Sequence, residues 1–210
     1  MSSPLSGRRG QAARNDEAIL DAARRVFLRD PAAPVSAVAR EADVGMSAIY
    51  RRFAGKEQLL QRICADGLRQ FIAVADEALA LDDPWEAFTR FLGGVVDADV
   101  HSLTVRLAGT FDPDDELARL SQEAERKQVA LLGAAQDAGV VRPDVELNDL
   151  AMLLEQLSAV RLAGPDRTRD LRRRYLALHL DALRPAAATA PLPGDAPTGA
   201  ELGARWQRRG

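Results

Sequence analysis

At 210 residues the chain is long enough for one or two domains with a true core. Its 47% hydrophobic and 28% charged residues, with many Ala, Leu and Arg and few aromatics, describe a globular and mainly helical protein. The single cysteine, Cys64, excludes an intramolecular disulfide, no apolar run is long enough for a bilayer and no signal-peptide core is visible, so a reducing cytoplasm is the expected compartment.

The net charge of -3 conceals an asymmetry. The first 60 residues hold ten basic and seven acidic side chains, which leaves the remainder near -6. No acid lies between Asp43 and Glu57, whereas Arg51, Arg52 and Lys56 do. A basic end on an acidic body suits docking on phosphates by that end; scattered charge is the plainer reading.

Residues 1–14 are rich in Ser, Gly, Arg and Gln with no apolar period, and are expected as a flexible basic arm. Arg8, Arg9 and Arg14 are open to two readings, phosphate or minor-groove contacts or a solvated terminus. Asn15 or Asp16 is the expected cap of a first helix with Ile19, Ala22, Ala23, Val26 and Phe27 on one face, stopped by Asp30-Pro31. From Val35 to Leu60 the pattern predicts two short helices, a tight turn and the start of a third helix. Ser36 is the expected N-cap of the first of these. Asp43-Val44-Gly45 supplies turn chemistry. A second short helix runs from Met46 to Phe53. This is the layout of a helix-turn-helix, spanning about 34–53. Phe27, Ile49, Tyr50 and Phe53 are the expected small core, with the Tyr50 hydroxyl still able to reach a phosphate.

A long helix from Lys56 to about Leu81 carries its apolar stripe from that small core into a larger body. Cys64 on the stripe reads as a buried, inert thiol. Asp83 caps the next helix with Pro84 at its first position, and Gly93-Gly94 inside it is open to three readings, a bend, a gap for a ligand or, as preferred, close helix packing. Further helices are predicted over His101–Phe111, Asp114–Ala138 (capped by Asp112-Pro113 and closed by Gly139), Leu147–Ala163 and Arg167–Arg184. Residues 186–210 are Pro- and Gly-rich. They are open to two readings, an irregular strap in which Thr198 caps a short helix and Trp206 anchors on the body, or a disordered tail.

The run AREADVGMSAIYRRFAGKEQLL (Ala39–Leu60) resembles the signature of the TetR family of transcriptional regulators. Ala42, Val44, Tyr50, Phe53, Lys56, Glu57 and Leu60 carry the resemblance. Asp43 stands where the family has a turn glycine, and Gly45, Met46, Ser47 and Ala48 stand where it has Ser, Lys, Gly and Thr. The body from about residue 84, with RRYLALHLDALRP and the PLPG tail, resembles one C-terminal branch of the same family. The resemblance implies a DNA-bound state without ligand and release by a small molecule entering the helical body.

The fold expected is therefore all-α, about nine helices. A three-helix DNA-binding domain (15–60) would carry a helical bundle for ligand binding and dimerisation (61–185), followed by a tail (186–210). The expected DNA contacts are Ser36, Gly45, Met46, Ser47, Ala48, Tyr50, Arg51, Arg52 and Lys56. Residues at the N-terminus of the second short helix face base edges; Ser36, Tyr50, Arg52 and Lys56 face phosphates. The expected ligand pocket is Phe88, Phe91, Leu92, His101, Phe111, Gln128, Leu131 and Gln156. Helices over 147–163 and 167–184 are apolar on more than one side, which predicts a four-helix interface between two copies through Leu153, Leu157, Val160, Tyr175, Leu176 and Leu183. The expected function is a repressor acting as a homodimer on a palindromic double-stranded operator and answering to a small molecule. A DNA-binding activator of the same fold, or a helical interaction module without DNA, are the alternatives.

Enzyme signatures fail. The two histidines, His101 and His179, lie 78 positions apart without metal-ligand spacing, and no GxSxG, Walker loop or GxGxxG is present. No cofactor, metal or membrane is expected.

Overall fold

A computed structural model describes residues 4–162 and 164–206, with side chains from residue 16 onward. Among them are ten α-helices and no strand: α1 Pro4–Arg29, α2 Val35–Glu41, α3 Met46–Tyr50, α4 Lys56–Leu79, α5 Pro84–Asp97, α6 Val100–Leu107, α7 Asp115–Asp137, α8 Leu147–Ala159, α9 Pro165–Ala182 and α10 Gly199–Gly203. No described helix is long and apolar enough to cross a membrane.

Most helix ends follow local chemistry. Asp83 accepts from the Glu86 N–H at 2.7 Å with Pro84 at the first helical position of α5. Asp114, rather than the expected Asp112-Pro113, accepts from the Leu117 N–H at 2.9 Å and opens α7, and Gly139 at φ 66° closes it. Two other expected starts are corrected. The expected basic arm is helical from Pro4, so Asn15 and Asp16 lie inside α1 rather than at its cap. Proline is compatible with a first turn, and Gln, Ala and Arg then favour continuation over a break. Arg8, Arg9 and Arg14 fall outside the described side chains. Ser36 is not a cap either: α2 begins at Val35 with Pro34 extended before it.

Two apolar cores share α4. Leu59, Leu60, Ile63, Cys64 and Ala65 belong to the first, Ala75 and Ala78 to the second. The first core joins α1, α2 and α3 to Leu103, Leu107 and Phe111 of the α6 region and to Leu117 of α7. The second gathers α5, α7, α8 and α9 around Phe88, Phe91 and Leu92. Cys64 lies in the first, and burial pushes its thiol up to about 12. Gly94 explains the paired glycines. A Cβ there would stand 2.5 Å from Val74 Cγ1 of α4, whereas a Cβ at Gly93 would meet nothing within 4 Å. Gly94→Ala is expected to cost about 1–3 kcal/mol by overpacking, and Gly93→Ala to add about 1 kcal/mol of helix stability. Urea unfolding of the two variants checks the contrast.

Polar ties fasten the N-terminal helices to the body. Glu41 of α2 accepts from Arg25 (2.8 Å) and Arg29 (2.7 Å) of α1, and Arg106 of α6 donates to the Arg29 carbonyl at 3.1 Å. Between α9 and residue 206 the chain is tied to the body by hydrogen bonds and packing. Arg142 pairs with Asp144 at 2.6 Å and donates to the Ala190 carbonyl, and Asp144 accepts the Leu192 N–H. Arg142, and then that N–H, hold the Asp144 carboxyl far below the usual range. Asn148 donates to the Pro197 carbonyl at 2.6 Å, Thr198 caps α10 and Trp206 packs edge-on to Phe111, centroids 6.0 Å apart. This segment is a strap over α6 and α8.

Candidate nucleic-acid interface and ligand cavity

The α2–α3 turn is a helix C-terminal motif built on Asp43. Asp43 sits at φ 54°, its N–H donates to the Arg40 carbonyl, and the Val44 N–H reaches back to the Ala39 carbonyl at 3.0 Å. Asp tolerates this left-handed conformation better than most residues, which is how it stands where a glycine is usual. Gly45 then precedes α3 in extended geometry.

α3 is pinned by Ile49, 1% exposed, with Met46 and Phe53 on the same side. The opposite side presents Ser47, Tyr50 and Arg51 at positions i, i+3 and i+4, all exposed, with Ala48 half-buried beside them. Tyr50 is 54% exposed, so it leaves the expected core. The reason is angular: it follows Ile49 by one residue, about 100° around the helix. Gly45 and Ser36 are exposed too.

Two of the expected phosphate contacts also tie the scaffold together. Arg52 pairs with Asp16 of α1 and donates to the Ala48 carbonyl at 3.1 Å. Lys56 donates to the Pro31 carbonyl at 2.7 Å and lies over the Phe27 ring, and burial lowers its pKa. Arg40, which sequence reasoning missed, is exposed on α2 and shares a face with Ser36 four residues earlier. That i, i+4 spacing was the available signal. Among the described residues neither Arg40 nor Arg51 makes an ion pair.

An inner cavity of about 190 Å³ lies between Gly67, Leu68 and Phe71 of α4, Val100, His101 and Thr104 of α6, and Ser121, Ala124, Glu125 and Gln128 of α7. It brings together two expected residues, His101 and Gln128. The others are elsewhere. Phe88, Phe91, Leu92 and Leu131 are close-packed second core, Phe111 belongs to the first, and Gln156 is exposed on α8. Large apolar side chains fill the interior rather than line its voids. A larger notch of about 740 Å³ between the start of α4 and Thr110-Phe111 is open to solvent.

His101 is largely buried. Desolvation drives its pKa down to about 4, against the pull of Glu155, the Ala151 carbonyl and Asp99, while Arg205 adds to the lowering. Between pH 6.5 and 4 the unfolded chain binds this proton and the folded chain does not. Stability is therefore expected to fall as pH drops through that window, by about 3 kcal/mol at most. Urea unfolding at neutral pH and near pH 4.5 checks this, and His101→Gln flattens the difference.

The outward side of α9 is largely charged, with Arg167, Arg169, Asp170, Arg173, Arg174 and Asp181 exposed, but two large apolar side chains stand among them. Leu178 is 58% and Tyr175 41% exposed, and Leu162 after α8 is 62% exposed. Val160 and Leu183 are half-buried. Leu153, Leu157 and Leu176, expected at the interface, are buried in their own chain's core, because α8 and α9 turn those faces onto α5 and α6.

Residues 19–63 match the family model for bacterial regulatory proteins of the tetR family. Residues 83–185 match the model described as transcriptional regulator SbtR-like, C-terminal domain. No curated protein matches the chain. Among solved structures, a TetR regulatory protein of Mycobacterium vanbaalenii is 28% identical, with 84% of this chain and 98% of that chain covered and a TM-score of 0.57. The regulator SCO0520 of Streptomyces coelicolor is 29% identical, with 83% and 99% covered and a TM-score of 0.54. The TetR-like regulator LfrR of Mycobacterium smegmatis, solved with proflavine, shares the fold at 22% identity, 85% and 99% coverage and a TM-score of 0.64. TetR regulators bind DNA and small molecules and function as dimers. Two family models over most of the length, on a helix-turn-helix joined to a helical body, place the assignment: the chain belongs to the TetR family of transcriptional regulators.

Proposed function

We propose that two copies of this chain repress transcription from a palindromic operator and let go when a small molecule occupies the helical body. Residues 15–60 read DNA and residues 61–185 dimerise and bind the effector, in the cytoplasm. The observation that carries the reading is the split of α3. Ile49 locks it from behind while Ser47, Tyr50 and Arg51 stand free in front. A major groove admits such a helix by its N-terminal residues. Gly45, Met46, Ser47, Ala48 and Arg51 are assigned to base edges, and Ser36, Arg40 and Tyr50 to phosphates. Arg52 and Lys56 hold the reader in place.

The effector must favour a spread arrangement of the two readers over the DNA-bound one. α4 spans both cores, and α6 carries His101 at one end and the tie to α1 at the other. Selection of bound sequences from a random duplex pool tests the reading. The expected motif is a palindrome with half-sites about one turn, ~34 Å, or somewhat more apart. Failure to enrich any motif overturns it. Arg51→Ala is expected to weaken operator binding at least tenfold at moderate salt, by about 1–3 kcal/mol, and Arg40→Ala to lower the salt slope by about one unit. Both are read by gel shift across salt concentrations.

A further inference from the structure

His101 stands between two small cavities. The inner one is the 190 Å³ space between α4, α6 and α7. The outer one, about 170 Å³, lies between α6, α8 and the strap, where Leu202, Arg205 and Trp206 form its roof. Thr104 borders both. Small-molecule pockets run from roughly 300 to 1,000 Å³. Each chamber is smaller than that, and His101 and Thr104 form the wall they share.

The polar groups narrow the occupant. His101 Nε2 is buried with no hydrogen-bond partner. The Ala151 carbonyl bonds the ring and can only accept, so it takes the N–H of the neutral imidazole and leaves Nε2 as an acceptor. A buried acceptor is unfavourable until something donates to it. The inner chamber is lined by no basic residue and has Glu125 in its wall. The one cation of the outer chamber, Arg205, is already paired with Glu155. Among the described residues an anion would find no free positive charge there, and a carboxylate has no proton to give.

We infer that the two chambers are one effector site roofed by the C-terminal strap, which takes an uncharged, largely apolar molecule whose hydroxyl or N–H donates to His101 Nε2. This rests on the ligand-responsive reading above and gives it a ligand class. The roof lies beyond the matched regulator domain, which ends at residue 185.

The test is calorimetry on the full-length chain at neutral pH with 4-propylphenol, propylbenzene and 4-propylbenzoate. The phenol is expected to bind at least about tenfold more tightly than either of the others, the cost of one unmade buried hydrogen bond. His101→Phe is expected to bring the phenol down to the level of propylbenzene. In a Trp85→Phe background, which leaves Trp206 as the one tryptophan, its emission is expected to shift as the phenol saturates. No phenol binding, or equal binding of the three probes by the native chain, overturns the site even where His101→Phe fails to fold. An unmoved Trp206 signal at saturation overturns the strap as its roof. Operator release is read separately by gel shift. Donor-selective binding without release overturns ligand-responsiveness and leaves the site standing; equal probe binding with a selected operator does the reverse.

Discussion

Leu178→Glu is expected to leave a folded monomer whose grip on the operator is weaker by about 10²–10⁴-fold. Leu178 is 58% exposed, so its side chain adds little to its own core and a charge there costs the protomer little. In a dimer the same position would lie against the partner's α9 beside Tyr175. A glutamate there would replace an apolar contact by a carboxylate that must be desolvated on association. Each reader is a short helix with a handful of contacts. Its operator affinity comes from having the second reader tethered at the right distance, and a monomer loses that effective concentration. Leu176→Glu, only two residues away, is expected to unfold the chain instead, because Leu176 is 4% exposed inside the second core. Analytical ultracentrifugation and gel shift check the pair. A Leu178→Glu protein that stayed dimeric would remove α9 from the interface.

Arg172→Ala is expected to destabilise the fold by about 1–3 kcal/mol, whereas Arg173→Ala next to it costs ~1 kcal/mol or less. Arg172 is 6% exposed and joins three elements. Its guanidinium donates to the Val160 carbonyl at 3.2 Å and the Ser158 carbonyl at 3.0 Å, where α8 ends, and to Asp99 between α5 and α6 at 2.5 Å. Asp99 stands at φ 51°, is 42% exposed and keeps its bond from Ser102, so removing the arginine chiefly leaves the Val160 carbonyl without this donor and the Ser158 carbonyl with Arg161 alone. Arg173 makes a bidentate pair with Asp97 at 2.6 and 2.9 Å, but both side chains are exposed and water replaces what is lost. Arg172→Lys is expected to recover only part of the loss, since one ammonium cannot span three acceptors in the guanidinium's geometry. Urea unfolding of the three variants decides. Equal, small effects at 172 and 173 would mean the buried node contributes no more than a surface pair.

What the chain's local chemistry settled is where the helices lie and how the reader is built. Asp83-Pro84, Gly139 and Thr198 mark helix ends because capping involves residues three or four apart, all present in a short window of sequence, while the cap of α7 falls at Asp114 rather than at the expected Asp112-Pro113. The turn at Asp43 and the α3 segment are legible for the same reason. Tertiary packing decided which polar groups remained available. Arg52 and Lys56 read as free cations until Asp16 and the Pro31 carbonyl, tens of residues away, engage them. Leu176 and Leu178 are indistinguishable by type, and only the approach of α5 turns one inward and leaves the other exposed. A void has no signature in sequence at all: His101 and Gln128 line one because α4, α6 and α7 fail to close over them, while Phe88 and Phe91 sit where packing is complete. Periodicity states that a side chain points inward; what it meets there is set by elements distant along the chain.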